Sequence, residues 1–272
     1  MKNVTLIFAS ILALAFVAIL STHDKFLYII LAGVLSGGTL YFIAFKKLDL
    51  EDSKFYILVG FFVIFGFALH RMNLMIYLLA YLIGSIPFGL LLAQFFAKIN
   101  IQNEGSKSIG ATNVLRVVKK ENPKLAKKLA VATLLLDFAK AFVPIILAQF
   151  LGFDDNMLWS IGVFCVLGHC FSAYLSLEGG KGVATAAGVM AALLPLELLI
   201  GFVAWFIVAK VFKISSLASL VALVFFLASS FILHYDMSIN THAPVLIICF
   251  IIVYKHIPNI KRMFKKEECK VI

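Results

Sequence analysis

Hydrophobic runs long enough to cross a bilayer recur from one end of this chain to the other, and that recurrence limits the fold more than any motif does. Apolar stretches cover approximately 4–20, 26–45, 55–69, 74–97, 129–151, 157–175, 183–209, 215–234 and 243–254. A hydrocarbon core about 30 Å thick takes roughly 20 apolar residues per helical crossing. Within it only helices and closed barrels satisfy every backbone polar group. The residues show neither the turn-punctuated alternation of a barrel nor an internal repeat. With 62% of residues apolar and a mean hydropathy of +1.04, no stretch is left for a separate soluble core. The sequence therefore predicts an all-α, polytopic membrane protein. Cys165, Cys170, Cys249 and Cys269 have neither zinc-type nor disulfide-framework spacing and read as small hydrophobes.

A net charge of +10 would suggest nucleic acid for a soluble chain, but here it matters which side of the bilayer each cation occupies. The 98–128 segment carries eight Lys and Arg and belongs in the cytoplasm. If 183–209 were a single crossing, the six cations after Tyr254 would fall outside. Splitting the run at Pro195 into 183–194 and 196–212 removes the conflict. It places 21 of the 24 Lys and Arg in the cytoplasm, leaves Lys25 and Arg71 outside, and sets Lys140 within a helix. The first of these crossings, twelve residues or ~18 Å long, must tilt, re-enter or thin the bilayer.

That topology gathers the polar clusters on one face. The 104–116 loop, EGSKSIGATNVLR, offers donors on Ser106, Ser108, Thr112 and Asn113, glycines Gly105 and Gly110, and a bidentate cation in Arg116. The EGGKG turn at 178–182 sets Gly179, Gly180 and Gly182 around Lys181, a pattern suited to phosphate but lacking the Walker spacing. A tight, positively charged interhelical turn fits it as well. Further along lie SSLAS at 215–219, with Ser219, and KHIPNIKR at 255–262, with His256 and Asn259. Asp137 and Lys140 stand at i, i+3 inside an apolar helix, where an unpaired charge costs ~3 kcal/mol. They are expected to form a structural ion pair. His169 follows Gly168 near the end of a span, where either a general base or a structural hydrogen bonder fits. GSIPFG at 84–89 reads as a proline kink with glycines for close helix packing.

In this order and at these spacings, GSIPFG, GSKSIGATNVLR, LDFAK, GHCFSAYLSLEGGKGVAT, SLAS and the H…NIKR stretch resemble the PlsY family of bacterial acyl-phosphate:glycerol-3-phosphate acyltransferases. The resemblance runs from Met72 to about Arg262. It implies a seven-helix core at 72–272, in the bacterial inner membrane with its active site on the cytoplasmic face. It also implies acyl transfer from acyl phosphate to the 1-hydroxyl of glycerol 3-phosphate, giving lysophosphatidic acid and phosphate. Ser106, Arg116 and Lys181 would hold the glycerol 3-phosphate. Ser219 and Asn259, with His169 and His256 nearby, would line the acyl-phosphate and acceptor-hydroxyl side. No cofactor, metal or nucleic acid is implied, whereas a functional link to an acyl-phosphate-forming enzyme is.

Such chemistry suits what the chain lacks. An acyl phosphate already carries a good leaving group, so alignment and charge neutralisation suffice. No GxSxG elbow is present, and no histidine has an aspartate five positions later. The sequence departs from the family at Lys107 and Ser108, where Gly and Asn are usual, and at Glu178, Ala141 and the HIPNI stretch. Met72 stands where family members commonly begin, so 1–71 reads as an added membrane module of about three helices rather than a misassigned start or a cleaved signal. A transporter of small organophosphates is the rival, but transport sites lie near the midplane between repeated halves. Here the halves do not repeat and the anion grips share one face.

Overall fold

A computed structural model describes residues 72–269. The expected extension at 1–71 lies outside the described residues. Within them every regular element is helical: α1 (Met72–Ser85), α2 (Phe88–Leu92), α3 (Ala111–Val118), α4 (Pro123–Phe150), α5 (Asp155–Cys170), α6 (Val183–Leu193), α7 (Pro195–Phe212), α8 (Ser215–Leu233) and α9 (Ala243–Phe264). A π-helical turn at Ala93–Ala97 extends α2, and a 3-10 turn at Ala173–Leu175 follows α5. Among the described residues six spans are long and apolar enough to cross a membrane, the first formed by α1 and α2 together as Asn73–Ala97. The apolar helix α6 is shorter, 11 residues or ~16 Å.

Local chemistry sets the ends of these helices. Asn122 accepts from Leu125 N at 3.0 Å ahead of Pro123, and Asp154 accepts from Met157 N at 2.8 Å. The long apolar run breaks at Leu194, where α6 ends and Pro195 opens α7, as the charge argument requires. At the GSIPFG stretch, Pro87 interrupts the first span between α1 and α2. At the break the Ile86 carbonyl accepts from Phe88 N at 3.1 Å and also from Lys140 Nζ at 3.0 Å. Asp137 Oδ1 lies 2.8 Å from the same ammonium, so the two charges on α4 pair inside the protein. The expected 104–116 loop is half helix, because Val114, Val117 and Val118 form an apolar stripe at helical spacing that α3 buries.

Helices α1 and α5 pack closely, α7 packs on α8, and α4 packs on α6. A Cβ on Gly84 would stand 2.2 Å from the Cys165 carbonyl oxygen, and one on Gly168 would stand 2.1 Å from that of Tyr81. These reciprocal contacts let the α1 and α5 backbones touch, the close approach that small residues permit in membranes. One buried cluster joins α1, α4, α5, α6, α8 and α9. A second, with Ile101, Ile109, Val114 and Val117, anchors the cytoplasm-assigned loop. Cys165, Cys170 and Cys249 are free and buried, and Cys269 is free and exposed.

Candidate active site

Four segments meet around one cavity of about 700 Å³. The first is the loop ahead of α3, folded by residues with positive φ at Gly105 and Lys107. Buried Asn113 holds it: its Oδ1 accepts from Ser106 N at 2.8 Å, while its Nδ2 donates to Ile101 O at 3.0 Å and Glu104 O at 3.2 Å. That amide is fully spent on the loop, so Asn113 positions Ser106 rather than offering a donor of its own. Ser106, Ser108, Thr112 and Arg116 face the cavity with it.

The EGGKG turn is the second segment. Gly180 N donates to His169 O at 3.0 Å, and a Cβ on Gly180 would stand 2.0 Å from His169 Nε2. A Cβ on Gly179 would stand 2.2 Å from the His169 carbonyl oxygen. These two glycines therefore seat the turn on His169 and do not line the cavity, and neither does Gly105; Lys181 and Gly182 do. Gly182, at φ 83°, turns the chain into α6. His169 is buried, with its Nδ1 3.6 Å from Asp137 Oδ1. The carboxylate neighbour that no local spacing showed for His169 thus comes from α4, and the ring bridges that buried pair to the glycine turn.

At the start of α8, Ser216 and Ser219 line the cavity, and Ser219 accepts from Trp205 Nε1 at 3.3 Å. Thr112 and Ser215 hydroxyls lie 3.5 Å apart and tie α3 to α8. The fourth segment is the end of α9, a continuous helix through Pro258 that presents His256 and Asn259. His256 Nδ1 sits 2.8 Å from the Ile252 carbonyl, which can only accept. The proton is therefore on Nδ1, leaving Nε2 of the neutral ring as an acceptor.

Beyond α9 the chain reverses at Lys266, whose φ is 59°, with Lys266 N bonded to Met263 O at 3.0 Å and Glu267 N to Arg262 O at 2.8 Å. This helix-ending pair of bonds returns Glu268 to the cavity wall. Burial alone would push the Glu268 carboxyl up, but hydrogen bonds from Asn259, Arg262 and Ser216 outweigh it and hold the group below the usual carboxylate range. Burial pushes Lys181 down to about 8, with Arg262 and Arg116 adding to the fall and Glu268 opposing it. Glu268 is the site residue that sequence reasoning missed, and its partners Ser216 and Arg262 lie within the SSLAS and KHIPNIKR clusters without having been singled out. Their meeting depends on the tail folding back, for which KKEEC carries no spacing signal.

Asp137 also lines the cavity, and the rest of the wall is apolar. Leu134, Leu135 and Phe138 come from α4, Leu198, Leu199 and Phe202 from α7, and Met190 and Phe226 lie deeper. Leu134, Leu135, Leu199 and Phe202 are also at least half exposed on the outer surface. The cavity therefore opens sideways between α4 and α7, toward lipid. Its geometry combines a cationic, hydroxyl-lined end with a greasy side entrance, which suits a ligand that is both anionic and long-chained.

Known proteins resemble this chain in sequence and fold. A family model described as glycerol-3-phosphate acyltransferase matches residues 74–266. The chain is 69% identical over 201 residues to a glycerol-3-phosphate acyltransferase of Campylobacter lari, covering 74% of this chain and 99% of that one. It is 55% identical over 204 residues to the enzyme of that name from Aliarcobacter butzleri, covering 75% and 99%. Two crystal structures of PlsY, an integral membrane glycerol 3-phosphate acyltransferase, also match. The glycerol 3-phosphate form has a TM-score of 0.65 at 33% identity, covering 74% of this chain and 96% of that one. The lysophosphatidic acid form gives 0.62 at 34%, covering 74% and 95%. With the family model spanning most of its length, this chain belongs to the PlsY family of integral membrane glycerol-3-phosphate acyltransferases.

Proposed function

We propose that the protein transfers an acyl chain from acyl phosphate to the 1-hydroxyl of glycerol 3-phosphate, releasing lysophosphatidic acid and inorganic phosphate. The observation that carries this reading is a single cavity in which Arg116, Lys181 and several hydroxyls adjoin an apolar wall open to lipid. Crystal forms of PlsY with glycerol 3-phosphate and with lysophosphatidic acid support the same acceptor and product here. Arg116, Lys181 and Ser106 hold the acceptor's phosphate. Ser219 and Asn259 face the donor's phosphoryl group, and the donor's chain runs out between α4 and α7.

In the reaction the hydroxyl oxygen attacks the acyl carbonyl carbon, the new ester C–O bond forms, and the C–O bond to phosphate breaks with its electron pair leaving on phosphate. The fixed cations stabilise the charge that gathers there. The hydroxyl proton passes to the departing phosphate or to His256. Of the two cavity histidines, His256 is the one whose proton is fixed on Nδ1, which leaves Nε2 as an acceptor, whereas His169 packs against the glycine turn. His169 instead keeps Asp137 and the glycine turn in register. The cytoplasmic face of the inner membrane is the site's place in this reading, because the basic 98–128 and 255–266 segments frame the polar end. An acyl-phosphate-forming enzyme must then supply the donor.

Purified protein supplied with glycerol 3-phosphate and one donor at a time tests the assignment. Acyl phosphate should give lysophosphatidic acid and free phosphate in equal amounts, with acyl thioesters at least a hundredfold slower. Equal rates with acyl-CoA or acyl-carrier protein would overturn the donor.

A further inference from the structure

Glu268 is a carboxylate placed among groups that would otherwise serve an anion from outside. Its Oε1 accepts from Asn259 Nδ2 at 2.6 Å and from Ser216 Oγ at 2.8 Å, and its Oε2 accepts from Arg262 Nε at 2.6 Å. Only 7% of the side chain is exposed, and it faces the same cavity as Lys181 and Arg116. Amide, hydroxyl and guanidinium donors converging on two anionic oxygens form the donor set that phosphoryl oxygens take.

A purely structural carboxylate fits this place poorly. Arg262 is 38% exposed in its side chain, so it is not itself a buried charge that needs a carboxylate partner. Asn259 and Ser216 are neutral. Meanwhile a fixed negative charge beside the cations works against binding two more anions in the same cavity. The segment that carries Glu268 lies beyond α9 and is fastened to the helix end by two backbone hydrogen bonds, from Lys266 and Glu267. It can therefore leave without disturbing a membrane span.

We propose that Glu268 is a built-in occupant of the phosphoryl-binding end of the cavity, held by Ser216, Asn259 and Arg262, and that an incoming phosphoryl group must displace it. The tail then acts as an internal competitor. It shields the cations while the site is empty and weakens apparent substrate and phosphate binding by the fraction of time it is seated. This inference rests on the reading that the cavity takes phosphorylated ligands, whereas its test does not need turnover.

The test uses the full chain with an environment-sensitive fluorophore on Cys269, next to Glu268; the other three cysteines are buried. Inorganic phosphate should change the emission saturably, while chloride at matched ionic strength does not. In Glu268→Gln the phosphate-dependent change should vanish. Inhibition by phosphate should tighten and KM for acyl phosphate should fall, each by about tenfold, as for a tail seated roughly nine-tenths of the time. A probe indifferent to phosphate would overturn the proposal. So would a Glu268→Gln enzyme whose KM is unchanged or raised, the signature of a strut holding Asn259 and Arg262. Absence of turnover in the wild type, with phosphate-driven release intact, would instead count against the acyl-transfer reading alone.

Discussion

Lys181→Ala and Arg116→Ala should each lower kcat/KM for acyl transfer by on the order of a thousandfold, the scale of losing a preorganised charge donor, while the protein still inserts and purifies as a folded chain. Both side chains reach the cavity from segments outside the spans, so their removal leaves helix packing intact. Lys181 adds a pH signature. Its ammonium is charged below about 8 and neutral above, so phosphate binding to the free enzyme is present below that value and is lost as pH rises through it. The kcat/KM profile should therefore fall about tenfold per pH unit on the alkaline side. Lys181→Arg keeps a charge that does not titrate there and should remove that limb, even if its activity is lower. Retention of wild-type kcat/KM in either alanine variant would remove the phosphate grip from the account.

Lys140→Ala should produce the largest stability loss, about 3–5 kcal/mol, because it leaves the Asp137 carboxylate buried without its partner. Three contacts disappear together: the 2.8 Å ion pair, the 3.0 Å bond to the Ile86 carbonyl at the proline break, and the cation stacked 5.9 Å over the Phe88 ring. His169, at 3.6 Å from Asp137, is the charge-capable neighbour that remains. The thermal unfolding midpoint of the purified protein measures the effect. Asp137→Asn combined with Lys140→Met should recover most of it, since no unpaired charge is then left inside. A single variant as stable as the wild type would mean that water reaches the pair.

Much of this was legible in the chain before its shape. Lipid-facing helices tolerate few polar groups, so EGGKG and the Ser106–Arg116 cluster had to meet one another or the solvent, and they meet. The break at Pro195 followed from charge alone, because one crossing there would invert the tail. The i, i+3 spacing was enough to pair Asp137 with Lys140. Other features depend on contacts between distant segments. Gly179 and Gly180 looked like ligand-facing glycines, yet the surface they lie against is His169, which arrives from α5. Asn113 looked like a free donor, but carbonyls of the folded loop consume it. Helix α3 did leave a signal in Val114, Val117 and Val118, masked by the glycine and serine run before it. Glu268 left none, since only the reversal at Lys266 carries it to Asn259.

The most direct test of the central claim, that the cavity aligns two phosphorylated reactants and supplies no nucleophile, is rapid quenching of the enzyme mixed with acyl phosphate labelled in its acyl chain. Without glycerol 3-phosphate, denatured protein should carry no label and phosphate release should show no burst; adding the acceptor should send the label straight to lysophosphatidic acid. A labelled chain, with phosphate released one for one before acceptor is added, would establish an acyl-enzyme and contradict direct transfer.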